Sequence, residues 1–140
     1  MRTGLIAIVA GLVGLAASPA LAADVTGQWL TATKNGQVEI TQCGKSLCGR
    51  LVSSDGLKAD PNLKDIKNQD TKLRDRPLKG LVFLTGFTGG PKEWTGGKIY
   101  NAEDGKTYSG SITLTGDDTL KLSGCVMSVL CQSQTWTRLR

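Results

Sequence analysis

The chain has 140 residues, with 17 Lys and Arg against 12 Asp and Glu, a net charge of +5 and no histidine. The missing histidine excludes Ser-His-Asp and Cys-His catalysis, histidine-based zinc sites and the usual proton shuttle near neutral pH. The modest basic excess lacks a tight Lys/Arg cluster with interleaved aromatics, which speaks against nucleic-acid binding.

The first element is one that is removed. Met1-Arg2 gives a positive start, Leu5 to Ala17 is apolar and small, and Ala20-Leu21-Ala22 supplies small residues for cleavage. Residues 1–22 therefore read as a secretory signal peptide. The apolar run is shorter than the ~20 residues a membrane span needs. The mature domain, residues 23–140, is expected in the periplasm or secreted. Loss of Arg2 lowers the net charge by one, to +4. A chain of this size carries one core.

After the leader, short strands alternate with turn residues. Gly27–Thr33 is the first, ended by Lys34-Asn35-Gly36, whose Asn-Gly signals a two-residue hairpin. Gln37–Cys43 places Val38 and Ile40 on one face. Leu47–Ser53 follows, with Leu47 and Leu51 opposing Arg50. This alternation suits a half-buried antiparallel sheet.

Ser54 to Pro77 is charged and too long for a hairpin. Asp60-Pro61 reads as a helix start, Asp as N-cap and Pro at the first helical position, with Leu63, Ile66 and Leu73 as apolar contacts. Asp55, Asp60, Asp65, Asp70 and Asp75 recur every fifth residue. Five steps turn a helix by about 140° beyond a full turn, so they share no face, and the spacing reads as incidental. Arg74-Asp75-Arg76-Pro77 reads as a charged approach to the next strand, with anion binding as the alternative.

Leu78–Phe87 runs apolar through Leu81, Val82, Phe83 and Leu84, which suggests cover on both faces. Glu93–Asn101 contains Trp94 and Ile99 at opposite parity, so Gly96-Gly97 marks a bulge. Lys106–Thr115 sets Tyr108, Gly110, Ile112 and Leu114 on one face. Thr119–Val126 and Gln132–Leu139 complete eight strands. Short links favour a meandering up-and-down β-barrel.

Four cysteines in an exported small domain read as disulfides rather than a metal site. Of three pairings, Cys43–Cys48 and Cys125–Cys131 each clamp a hairpin tip. In a closed barrel with an even number of antiparallel strands, the first strand's start lies beside the last strand's end. Trp29 and Arg138 then meet, the guanidinium over the indole, and close one end of the barrel.

Gly27-x-Trp29 with a late-strand Arg resembles the lipocalin and calycin signature. Six stretches are similar, more specifically, to a bacterial family known as domain of unknown function 2147. They are Gly27-Gln28-Trp29; Cys43 with Leu47-Cys48-Gly49; Asn68 to Gly80; Trp94 to Tyr100; Gly105 to Tyr108; and Ser133 to Arg138. The resemblance implies an exported lipocalin-type barrel and no assigned activity. It carries no catalytic residue, metal or cofactor.

The function expected is that of a non-catalytic barrel holding one small apolar ligand. Glycines within strands, Gly49, Gly97 and Gly110, suggest a partly hollow interior. Val38, Ile40, Leu51, Phe83, Tyr108 and Ile112 are the candidate lining; their alternative role is a packed core. The alternative function is a protein-interaction role, as an inhibitor of an exported enzyme or an envelope accessory protein, centred on Ser54–Pro77.

Overall fold

The computed structural model describes residues 24–127 and 129–140, together with Gly11 and Gly14. The expected leader otherwise lies outside the described residues. Eight strands run β1 Gly27–Leu30, β2 Gln37–Cys43, β3 Ser46–Ser53, β4 Val82–Gly89, β5 Glu93–Asn101, β6 Lys106–Leu114, β7 Thr119–Val126 and β8 Leu130–Arg138. Each pairs antiparallel with its neighbour, and β8 returns to β1 to close the barrel. Among the described residues no helix is long and apolar enough to cross a membrane.

The lower end of the barrel holds the start of β1, the end of β8 and the turns 43–46, 89–93 and 114–119. The upper end holds the connections 30–37, 53–82, 101–106 and 126–130. Both disulfides form, Cys43–Cys48 at a lower tip and Cys125–Cys131 at an upper one. Trp29, Val38, Ile40, Leu47, Leu84, Phe87, Trp94, Ile112, Leu120, Leu122 and Trp136 lie together in one core, and Val38, Ile40, Leu47 and Ile112 are there as their alternation in the sequence predicts.

Trp29 and Arg138 are register partners. The guanidinium carbon lies 4.4 Å from the indole centroid. Arg138 also donates from Nε to the Asp117 carbonyl and from Nη1 to the Thr26 carbonyl, both at 2.9 Å. The indole Nε1 donates to the Val25 carbonyl at 2.9 Å. One planar cation thus covers the ring and ties three chain segments at the lower end.

The in-strand glycines correct the expectation of hollow space. A Cβ on Gly49 would lie 2.5 Å from Leu84, one on Gly97 2.4 Å from Phe87, and one on Gly110 2.5 Å from Ile99. Each missing side chain makes room for a larger neighbour on the adjacent strand, so these glycines belong to tight packing. Gly97→Ala should therefore cost about 1–3 kcal/mol through overpacking against the Phe87 ring. Thermal unfolding of the variant measures it.

Three local expectations change. β1 ends at Leu30, and the turn centres on Lys34-Asn35, both left-handed at φ 58° and 47°. Neither is glycine, so the conformation carries strain; the Lys34 carbonyl is held by the Asp55 N–H at 2.9 Å.

The helix is α1, Asp55–Ala59, and not one begun at Asp60-Pro61. Ser54 caps it, accepting from Leu57 N, and Leu57 is the buried residue. Asp60 ends it, its side chain accepting from Asn62 N at 2.9 Å. Ile66 and Leu73, expected as its apolar contacts, are exposed, while Leu63 is half-buried.

The apolar run on β4 reflects a register shift rather than cover on both faces. Gly49 pairs Leu84 while Arg50 pairs Val82. Val82 is exposed. Phe83 and Leu84 both reach the interior: Phe83 meets Trp136 of β8 at a centroid distance of 6.4 Å, and those strands are not neighbours.

Candidate ligand site at the open end of the barrel

The upper end is roofed on one side. Lys34 of the β1–β2 turn pairs with Glu103 of the β5–β6 turn. Asn35 Nδ2 donates to the Asp55 carboxylate at 3.1 and 3.2 Å. The connection 53–82 fills the space between. It is anchored by Asp65, buried although charged. Asn68 Nδ2 and Arg76 Nε each donate to Asp65 Oδ2 at 2.8 Å, and the Tyr100 hydroxyl donates to Oδ1.

Arg76 also lies 5.1 Å from the Tyr100 ring centroid. Burial alone would push the Asp65 carboxyl up; bonds from Asn68, Tyr100 and Arg76, with the Arg76 charge, outweigh it and hold the group below its ordinary value. Burial and the bond to Asp65 push the Tyr100 phenol up to about 12. Arg76 is thus committed to this ion pair, and Arg74 Nε donates to the Asn68 carbonyl at 2.7 Å. The Arg74–Pro77 stretch is occupied within the fold.

The other side is open, because β1 is short. It pairs β8 only at Trp29↔Arg138 and Leu30↔Thr137. Above Trp136, among the described residues, β8 has no strand on the β1 side. Its inward parity, set by Trp136, passes to Gln134, Gln132 and Leu130, and all three are exposed. Trp136 Nε1 donates to Gln134 Oε1 at 3.0 Å. Leu51, Phe83, Ile99 and Tyr108 are half-buried at the upper ends of β3 to β6. The Tyr108 hydroxyl donates to Asp104, and that bond holds the phenol above its ordinary value.

A Cβ on inward-facing Gly124 would meet Ile99 at 3.4 Å and Tyr108 at 3.8 Å, ordinary contacts unlike those at Gly49, Gly97 and Gly110. Leu51, Phe83, Ile99 and Tyr108 thus share the upper end with the two exposed carboxamides of β8, and together they form the candidate mouth.

The six candidate lining residues divide. Val38, Ile40 and Ile112 are fully buried in the core, Val38 as the register partner of Leu51. Leu51, Phe83 and Tyr108 lie at the open end. Ile99, Gln132 and Gln134 were not among the candidates; the readable signal for the two glutamines was their parity with Trp136.

Residues 27–138 match the family described as "Uncharacterized protein conserved in bacteria (DUF2147)". The chain belongs to this family. A solved structure with a similar fold comes from Helicobacter pylori: it is titled "Protein HP1028 from the human pathogen Helicobacter pylori belongs to the lipocalin family". It shares 27% identity, a TM-score of 0.75 and 84% coverage of each chain. Among curated proteins none matches. This DUF2147 chain is thus a lipocalin-like barrel.

Proposed function

We propose that this DUF2147 protein is an exported, non-catalytic barrel that takes one small apolar ligand in its upper mouth. The observation that carries the reading is the exposure of inward-facing β8 residues Gln132 and Gln134 opposite half-buried Leu51, Phe83, Ile99 and Tyr108. An eight-stranded barrel accommodates a filled interior or one small ligand; this one is filled below and open above. The carboxamides suit a polar end group, and the aromatic wall suits the apolar body. The likeness to a lipocalin-family protein supports the reading. The leader-like residues 1–22 and two disulfides support export. With no histidine and all four cysteines in disulfides, Ser-His and Cys-His pairs are missing from the sequence.

Titration with the apolar fluorophore N-phenylnaphthylamine tests this. A saturable rise in emission is expected. Gly124→Phe, which fills the mouth, should weaken binding ~tenfold or more, as lost burial of even one side-chain equivalent does. Gln132→Glu, at an exposed position, should weaken it by placing a charge beside the apolar body. Emission that never saturates, or affinity unchanged in both variants, overturns the proposal.

A further inference from the structure

At the upper end the β7–β8 hairpin projects with an apolar tip. Val126 is 46% exposed, Met127 89%, Val129 82% and Leu130 73%. No charged residue occurs between Lys121 and Arg138. The Cys125–Cys131 disulfide clamps the two arms below the tip. The ladder between them continues to Val126↔Leu130, and Val129 N donates to the Val126 carbonyl at 3.3 Å. Water-exposed apolar side chains grouped like this carry a solvation cost that a partner removes.

We propose that this tip inserts into the interface of a phospholipid bilayer and sets the open mouth against the membrane. Three observations favour a bilayer over a protein partner. A stable protein interface draws on ~20–30 residues a side, and the tip offers four. A bilayer needs only a few apolar anchors and no matching shape.

The hairpin is uncharged, and its cross-strand ladder supplies backbone partners that lipid cannot. At the rim Lys67 and Lys106 are exposed and Glu103 is paired with Lys34, and the 53–82 connection carries seven Lys and Arg against five Asp. Ile66, 70% exposed and next to Lys67, gives a second apolar contact on the rim. Lys67 lies at this end because its carbonyl abuts Gly105 of the β5–β6 turn. The net charge, +5 for the whole chain and one less without Arg2, adds attraction to anionic headgroups. Insertion is shallow, because the free edge of β8 above Trp136 must stay among headgroups and water. None of this requires a ligand in the mouth.

Flotation of the mature protein with phosphatidylethanolamine vesicles containing phosphatidylglycerol tests the proposal. Wild-type protein is expected to float with the vesicles. Val129→Asp, at an exposed position, should keep the wild-type melting temperature and partition ~tenfold or more weakly, the scale of one buried apolar side chain. In Val129→Trp, brominated acyl chains should quench the added indole more strongly than the native tryptophans Trp29, Trp94 and Trp136, which are buried. Failure of wild-type protein to float overturns the proposal. So does equal flotation of Val129→Asp, or concentration-dependent dimerisation that the same substitution abolishes.

Discussion

Trp29→Ala is expected to lower the unfolding free energy by about 3–5 kcal/mol, the range for a large aromatic truncation in a core. The ring is fully buried, paired to Arg138 across the barrel seam, and bonded through Nε1 to Val25. Its removal leaves a void at the point where the first and last strands meet. Arg138→Ala should cost less, about 1–2 kcal/mol, through loss of the stacked plane and its aliphatic stem. Arg138→Lys should recover only part, since an ammonium does not stack as a plane or reach two carbonyls in fixed directions. Urea unfolding of the three variants gives the order. An Arg138→Ala protein as stable as wild type would mean that the seam is held by backbone pairing alone.

The second large effect is at Asp65. Asp65→Asn should cost about 2–3 kcal/mol at neutral pH. It leaves the Arg76 charge without its partner and turns an amide toward donors. Arg76 is 32% exposed, and water screening there keeps the loss below that of a fully buried pair. The pH dependence has a definite sign. The Asp65 carboxyl is held below its ordinary value in the folded state. Its stabilisation is therefore present above the unfolded value of about 3.9 and is lost as pH falls through the lower folded value. The gap between wild type and Asp65→Asn should be constant from neutral pH down to about 5 and shrink below about 4. A gap that persisted unchanged into strong acid would assign the cost to packing and not to charge.

How much of this was readable depended on the range of each signal. The period-two alternation of β2, β3 and β6 is local and placed Val38, Ile40, Leu47, Gly110 and Ile112 on the inner face. The meeting of Trp29 with Arg138 followed from strand parity and closure, though the residues are far apart in the chain. Closing short loops made the disulfide pairs readable in the same way.

What fills the space over a glycine was not readable, because it depends on the neighbouring strand. Leu84, Phe87 and Ile99 occupy sites the sequence leaves blank. The β4 register shift also escaped, since a continuous apolar run fits either a strand covered on both faces or two adjacent residues turned inward. Ser54 and Asp60 both satisfy the helix-capping pattern. Ser54 prevailed because it puts Leu57 inside, and Pro61 lacks the N–H that would continue the helix. The Asp65 cluster escaped because its partner Tyr100 is 35 residues away. The mouth was half readable. Leu51, Phe83 and Tyr108 follow from strand position, but its open side depends on β1 stopping at Leu30.

The division of the barrel into a filled lower part and an open upper mouth is the central claim. Amide chemical-shift mapping during titration with N-phenylnaphthylamine tests it most directly. The account predicts shifts at Leu51, Phe83, Ile99, Tyr108, Gly124, Gln132 and Gln134, with Trp29, Ile40 and Arg138 unmoved. Shifts centred on Trp29 and Ile40, or spread evenly over the outer surface, would contradict it.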